Sequence, residues 1–270
     1  MKKQELLVSI IKEYIKDKEP IGSQTLKQRQ NLKVSSATIR NYFKILEDDG
    51  ALFQPHISSG RVPTNTSLLA YWRERLSFLL DSDFSMDISA ISSLTSNYEI
   101  CCIAVPRAAN SLEAIINHNN TYIILKFTRG EAVIGFSEAM QRFLESLNGM
   151  EIIDIIKVAS EVGARELKRK LVALEGVDFE QSSLRYGAES LASLAVQNAS
   201  SFSDIIHARM LLSYQNGIYV NDFLPTGYMA VIHNINYFDT RDKVHKKARM
   251  MSVGSLRSDY ENFYKELVIE

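Results

Sequence analysis

Three helical registers of apolar residues, cut by proline, asparagine and glycine, fill the first fifty residues and leave little choice of local fold. Leu6, Leu7, Ile10, Ile11, Tyr14 and Ile15 recur at helical spacing and predict one apolar face on a helix from about Lys3 to Asp17. Pro20 and Gly22 end that run. Ser23 stands where an N-cap belongs, its hydroxyl able to accept from a free first-turn amide, and Ser23 to Gln30 reads as a short second helix. Asn31 and Leu32 form the turn. A third helix begins at Ser35 or Ser36, each a good N-cap, and carries Ile39, Phe43 and Leu46 on one face until Gly50 stops it.

The opposite face of the third helix carries Ser36, Arg40, Asn41 and Lys44, with Ser35 and Thr38 at its first turn. A guanidinium can fork onto guanine O6 and N7, and an amide can pair with adenine N6 and N7. Short hydroxyls at a helix N-terminus reach phosphates or base edges. A polar face on a single helix is by default a solvated one; two upstream helices and a tight turn shift the reading towards a helix that enters the major groove of DNA. Beyond it, Ala51 to Gln54 is a short apolar strand, and Pro55 opens the loop His56, Ile57, Ser58, Ser59, Gly60, Arg61 before Val62 and Pro63. The expectation is a hairpin with Ser58, Ser59, Gly60 and Arg61 at its tip, the glycine supplying the bend and the arginine a long cation for phosphates or a narrow minor groove. His56 reads as a loop hydrogen-bonder, because no carboxylate or cysteine is spaced to make it a ligand or a base.

A net charge of -1 argues at first sight against so anionic a partner. Charge is unevenly placed, however: residues 1–75 hold 13 Lys+Arg against 8 Asp+Glu, and residues 76–270 hold 18 against 24. A basic head on an acidic body points to nucleic acid or another anionic surface.

The runs Glu19-Pro20-Ile21-Gly22-Ser23, Val34-Ser35-Ser36-Ala37-Thr38-Ile39-Arg40-Asn41, Leu46-Glu47 and Gln54 through Thr64 resemble the amino-terminal domain of the heat-inducible transcription repressor HrcA family. The resemblance is dense over about the first 65 residues. It implies a repressor that binds an inverted-repeat operator upstream of chaperone genes as a homodimer, with activity supported by the GroEL-type chaperonin. It also implies a GAF-like domain carrying an inserted dimerising element. Later in the chain Gly254-Ser255-Leu256-Arg257-Ser258-Asp259-Tyr260 is similar to a family segment but lacks its proline and threonine.

The body gives weaker signals. Thr66 to Leu80 reads as a helix with a stripe of Leu68, Leu69, Trp72, Leu76 and Leu79, suited to packing the head on the body. The Ser- and Asp-rich stretch Asp81 to Ser96 reads as a linker. Tyr98–Val105, Leu112–His118, Thr121–Phe127 and Glu131–Phe136 are expected to form one antiparallel sheet, split at Pro106, Asn119-Asn120 and Arg129-Gly130. Helices are expected near Ile152–Val162, Arg165–Leu174, Ala188–Asn198 and Ser203–Tyr214, then strands Gly217–Val220, Tyr228–His233 and Ala248–Val253 and a closing helix Leu256–Val268. The pattern of elements predicts an α+β class, with an N-terminal winged helix-turn-helix over 1–80 and then a sensor-like α+β domain over 97–270, interrupted at about 140–200 by a helical insertion. The resemblance implies that this domain is GAF-like and that the helical insertion is a dimerisation element.

Several functions are set aside. Cys101 and Cys102 are adjacent in an apolar stretch and read as buried strand residues of a reducing compartment. No run of about 18 apolar residues occurs, so no membrane span is expected, and the amino terminus lacks signal-peptide character. No phosphate-binding glycine loop, zinc-protease or hydrolase motif is present, and the five histidines lack metal-ligand spacing. Neither enzyme nor cofactor is expected, and the cytoplasm is the expected location. The reading of another class is a small-molecule-responsive winged-helix regulator of metabolic genes, since an apolar effector pocket leaves no motif.

Overall fold

The computed structural model describes residues 3–81, 84–107, 109–208, 211, 214–239 and 243–269 and is mixed α and β. Four helices and a small hairpin make the head: α1 Lys3–Asp17, α2 Ser23–Arg29, α3 Ser36–Asp48, strands β1 Leu52–Phe53 and β2 Val62–Pro63, and α4 Asn65–Arg75. The periodic residues face inward as expected, with Leu6, Ile10, Leu26, Ile39, Phe43 and Leu46 all buried. One boundary differs. Gly22, in extended conformation, is the N-cap of α2 and makes no side-chain cap bond, so Ser23 is the first helical residue. The other signals act locally as read. Ser35 Oγ accepts from the Thr38 amide at 3.0 Å, and Asn31 takes the left-handed conformation in the turn. Gly50, at φ 71°, ends α3 while the Ala51 amide donates to the Leu46 carbonyl at 2.8 Å.

The long helix expected to reach Leu80 stops at Arg75, with Leu76 leaving helical geometry, and a short α5, Phe78–Asp81, comes next. Ser77 Oγ donates to the Glu74 carbonyl at 3.1 Å, a local bond that competes with helix continuation. The stretch read as a linker is structured over its described part, residues 82–83 lying outside it. It supplies β3, Phe84–Met86, and α6, Ile91–Tyr98, whose Ile91 and Leu94 are buried.

The body is built on a seven-stranded sheet with β4 Ile100–Pro106, β8 Leu184–Tyr186, β9 Gly217–Tyr219, β10 Tyr228–Asp239, β11 Val244–Ser255 and β12 Val268–Ile269. Its order is β12-β3-β10-β11-β4-β8, with β9 on the same edge of β10 as β3. Strands β10 and β11 form a twelve-residue antiparallel ladder from Tyr228↔Ser255 to Asp239↔Val244. His233, expected at a strand end, lies within β10 and is fully buried. Both faces of the sheet are covered, which explains the unbroken apolar run of β4. Cys102, Ala104, Met250 and Val231 pack on one side with α6, with α12 (Tyr260–Leu267) and with the head. Cys101, Ile103, Val105, Met251 and Val253 pack on the other, under a 3-10 turn at Ala188–Leu191, α10 Ala192–Gln197 and α11 Ala199–Ile206. Residues 209–210 and 212–213 of the helix expected over Ser203–Tyr214 lie outside the described residues.

The single sheet expected over 98–136 is two. After β4 the chain leaves the central sheet and builds a separate unit: β5 Leu112–His118, β6 Tyr122–Phe127, β7 Gly130–Gly135, α7 Glu138–Glu145, α8 Ile152–Glu161 and α9 Arg165–Ser182. These elements enclose their own core around Ile123, Leu125, Leu144, Ile155 and Leu171. The chain returns at β8, which pairs with β4 through Cys102↔Tyr186. The interruption therefore begins well before residue 140 and includes three strands, while the helices at 188–206 cover the central sheet.

Burial decides the chemistry of the cysteines. Desolvation pushes the Cys101 thiol up to about 12 and the fully buried Cys102 thiol higher still, and Cys102 lies 3.2 Å from Ser252 Oγ. Alkylation with iodoacetamide at pH 8 is therefore expected to label neither cysteine in the native protein and both in denaturant.

Candidate nucleic-acid interface

Helices α1 to α3 stack through Leu6, Ile10, Leu26, Ile39 and Phe43, so the polar face of α3 points outward. Arg40, Asn41 and Lys44 are exposed on it; Ser36 and Thr38 are half-buried at its first turn. Among the described residues neither Arg40 nor Lys44 forms an ion pair. Some other cations of the head are engaged: Lys3 with Asp49 at 2.6 Å, Arg29 with Glu13 at 3.2 Å and with Asp17, Lys18 with Glu99 of the body. Arg40 and Lys44 thus keep their charge uncompensated by such pairs on the outward face of α3.

The hairpin lies beside α3, and a groove of about 650 Å³ separates them. Arg40, Lys44 and Glu47 line it from α3; Gln54, Ser58, Ser59, Gly60 and Arg61 line it from the hairpin, and Gly22 and Ser23 from the start of α2. Residues of α3 and of the hairpin thus meet across one concavity. Asn41 and His56 are exposed outside its lining, and Ser35 caps α3.

The hairpin is built differently from the expectation. Its exposed turn is Pro55, His56, Ile57 and Ser58, closed by Ser59, whose amide donates to the His56 carbonyl at 2.9 Å. Gly60 and Arg61 lie back at the base. There the Ile21 amide donates to the Arg61 carbonyl and the Arg61 amide to the Ile21 carbonyl, each at 2.9 Å. Gly60 is required by that contact and not by a bend: a Cβ on it would stand 2.4 Å from the Ile21 carbonyl carbon, and its φ is not left-handed. Arg61 is no free cation at a tip. Its Nε donates to Glu47 Oε2 at 3.0 Å, and its side chain is only 20% exposed. That pair straps the hairpin to the last turn of α3.

The candidate residues therefore divide by what they do. Gly60 and Arg61 tie the hairpin to Ile21 and α3, Ser35 caps α3 and Ser59 closes the turn, whereas Arg40, Asn41, Lys44, His56 and Ser58 are presented to solvent. Three contributors lie within the runs that carry the resemblance, but nothing local in the sequence marks their bracing role. Gln54 Nε2 donates to the Ile57 and Ser59 carbonyls at 2.8 and 3.0 Å, Glu47 anchors Arg61, and Ile21 seats Gly60. Gly60→Ala is expected to destabilise the protein by about 1–3 kcal/mol through this overpacking. Urea unfolding would measure it, and an unchanged midpoint would mean that the hairpin does not rest on Ile21.

The head is fixed to the body by a continuous core running from Leu6 to Leu267. Trp72 of α4 is fully buried, its Nε1 donating to the Leu256 carbonyl at 2.9 Å and its ring edge-on to Tyr260 at 5.4 Å. Tyr71 Oη donates to Glu261 at 2.8 Å, and the Arg257 guanidinium lies over the Tyr14 ring at 5.6 Å. The groove is thereby held at a set orientation to the central sheet. Among the described residues no helix is long and apolar enough to cross a membrane.

Comparison with known proteins agrees with this layout. Residues 72–269 match the family described as the HrcA C-terminal domain. The heat-inducible transcription repressor HrcA of Helicobacter pylori strain J99 is 31% identical over 98% of this chain and 94% of its own length. The protein of the same name from Corynebacterium diphtheriae is 54% identical over 63 residues, 23% of this chain and 18% of that one. A solved structure described as a hypothetical protein at 2.2 Å resolution has a similar fold, with a TM-score of 0.51 at 20% identity, covering 98% of this chain and 94% of its own. This chain belongs to the heat-inducible transcription repressor HrcA family.

Proposed function

We propose that the protein represses transcription by binding an inverted-repeat DNA operator as a homodimer, the head acting as a winged helix-turn-helix. The observation that carries this reading is the groove between α3 and the hairpin, where Lys44 faces Ser58 across a space able to take a sugar-phosphate backbone and Arg40 lines the α3 side. Helix α3 enters the major groove with Arg40 and Asn41 towards base edges and Lys44 towards phosphate, while His56 and Ser58 meet the flanking strand. Ser36, Thr38 and the Ser35-capped amides lie at the end of α3 that approaches a phosphate. Transcriptional repression, not catalysis, is the work of the family to which the chain belongs.

A dimer suits a palindrome because its two-fold axis maps one half-site onto the other. The inserted unit offers a surface for it: Ile116, Ile124 and Val133 stand in register across β5, β6 and β7, with Ile116 and Val133 exposed. The rest of the body, over about 97–270, is then the GAF-like regulatory domain. Support of activity by a GroEL-type chaperonin at chaperone-gene operators, in the cytoplasm, rests on family membership alone.

Fluorescence anisotropy with the duplex enriched from a random pool by the full chain tests the reading. Affinity is expected to fall steeply and linearly on a log–log plot against salt, and Lys44→Ala to reduce that slope by about 1. Binding that ignores salt would exclude a phosphate-tracking interface.

A further inference from the structure

Ile57 is an isoleucine held wholly in water. It is 100% exposed at the extreme of the hairpin turn, beside the exposed Pro55, His56 and Ser58. Single exposed apolar residues are common and ordinarily need no explanation. This one sits on a braced support. Gln54 Nε2 donates to the Ile57 carbonyl at 2.8 Å and to the Ser59 carbonyl at 3.0 Å. Ser59 Oγ accepts from the His56 amide at 3.0 Å and donates to the His56 carbonyl at 2.7 Å, and the base is tied to Ile21 and Glu47. The backbone that carries Ile57 is therefore braced, so little of the turn remains to be ordered when its side chain makes contact.

The position of Ile57 identifies its target. With α3 in a major groove and Arg40 turned to the base edges, one sugar-phosphate backbone passes through the concavity between Lys44 and Ser58. The next surface beyond a single backbone is the adjacent minor groove, and Ile57 lies one residue from Ser58 on that side of the concavity. We propose that Ile57 enters the minor groove and reads it for A·T pairs. An apolar side chain there meets the bare edge of A·T pairs, whereas G·C places the guanine N2 amino group in its way. Isoleucine is among the residues that wedge against base steps in the minor groove. No charged group at the tip is needed for this, which fits the retention of Arg61 by Glu47.

The inference rests on the DNA-binding reading and is separable from it. The full chain and its Ile57→Ala variant are titrated into the enriched duplex, with the base pairs beneath the hairpin located by hydroxyl-radical footprinting. Those pairs are then changed from A·T to inosine·C or to G·C. Inosine·C presents the minor groove of A·T and the major groove of G·C, so it separates the two grooves. The wild-type chain is expected to keep its affinity on inosine·C and to lose about tenfold on G·C. Ile57→Ala is expected to bind the A·T duplex several-fold more weakly and to show no preference between the three, with an unchanged melting temperature because the side chain touches nothing. Equal loss on inosine·C and G·C by the wild type would place the reading in the major groove and overturn the inference. So would an Ile57→Ala variant with wild-type affinity and preference, which would leave the residue to a protein partner. Absence of any enriched duplex would instead remove the DNA-binding reading itself.

Discussion

Arg40→Ala is expected to weaken binding to the enriched duplex by about 1–3 kcal/mol, roughly 5- to 150-fold, and to leave binding to random DNA almost unchanged. The asymmetry comes from what the guanidinium touches. It is exposed, forms no ion pair among the described residues, and stands at the outward face of α3, free to fork onto a guanine edge. Removing it leaves phosphate contacts intact, so the sequence-independent part of affinity persists. Asn41→Ala should behave alike at a different base pair. Lys44→Ala should weaken all sequences by a similar factor, because a point charge on phosphate carries no base information. Equal losses on enriched and random DNA for Arg40→Ala would show that Arg40 contacts the backbone.

Trp72→Ala should have the largest effect on stability. Truncating a fully buried tryptophan costs about 3–5 kcal/mol, a large share of the roughly 5–15 kcal/mol that holds a domain folded. The loss here has two parts: the void beside Tyr260, and a Leu256 carbonyl left without its donor. Since α4 is where the core passes from head to body, the variant should also lose the set orientation of the groove. Trp72→Phe keeps much of the packing while removing the hydrogen bond, and so falls between wild type and Trp72→Ala. Thermal unfolding is expected to rank the proteins wild type, Trp72→Phe, Trp72→Ala, with the last falling by about 10 °C or more. A Trp72→Ala midpoint within a degree or two of wild type would mean that the head is not held through this residue.

Legibility in the sequence tracks the range of the forces. The head is written in local signals: Ser35 capping, Gly50 terminating, and apolar residues at helical spacing all act within a few residues of themselves. Where a partner lies far along the chain, local signals mislead. Gly60 looks like a bend until Ile21 is placed against it, and Arg61 looks like a free cation until Glu47 is. The polar residues 81–96 look like a linker because β3 exists only through its pairing with β10 and β12, and the Ile91 and Leu94 of α6 are masked by serines. Segments 98–136 look like one sheet because alternation specifies a buried face and not a partner. The residues with which β4 pairs, in β8 and β11, are about 80 and 150 positions later, so the separate sheet of β5 to β7 leaves no local trace. In the candidate interface the presented residues Arg40, Asn41 and Lys44 are legible, whereas the bracing of the hairpin is not.

Directed cleavage of DNA tests the arrangement of α3 and the hairpin most directly. Because Cys101 and Cys102 are buried with raised thiols, an iron chelate can be attached at one introduced cysteine, Ala37→Cys on α3 or Ser58→Cys on the hairpin. The proposed complex predicts cuts from position 37 with the stagger of a major-groove source, and cuts from position 58 one backbone away with the opposite, 3′-shifted stagger of the minor groove. Cuts from both positions with the same stagger, or from neither, would contradict it.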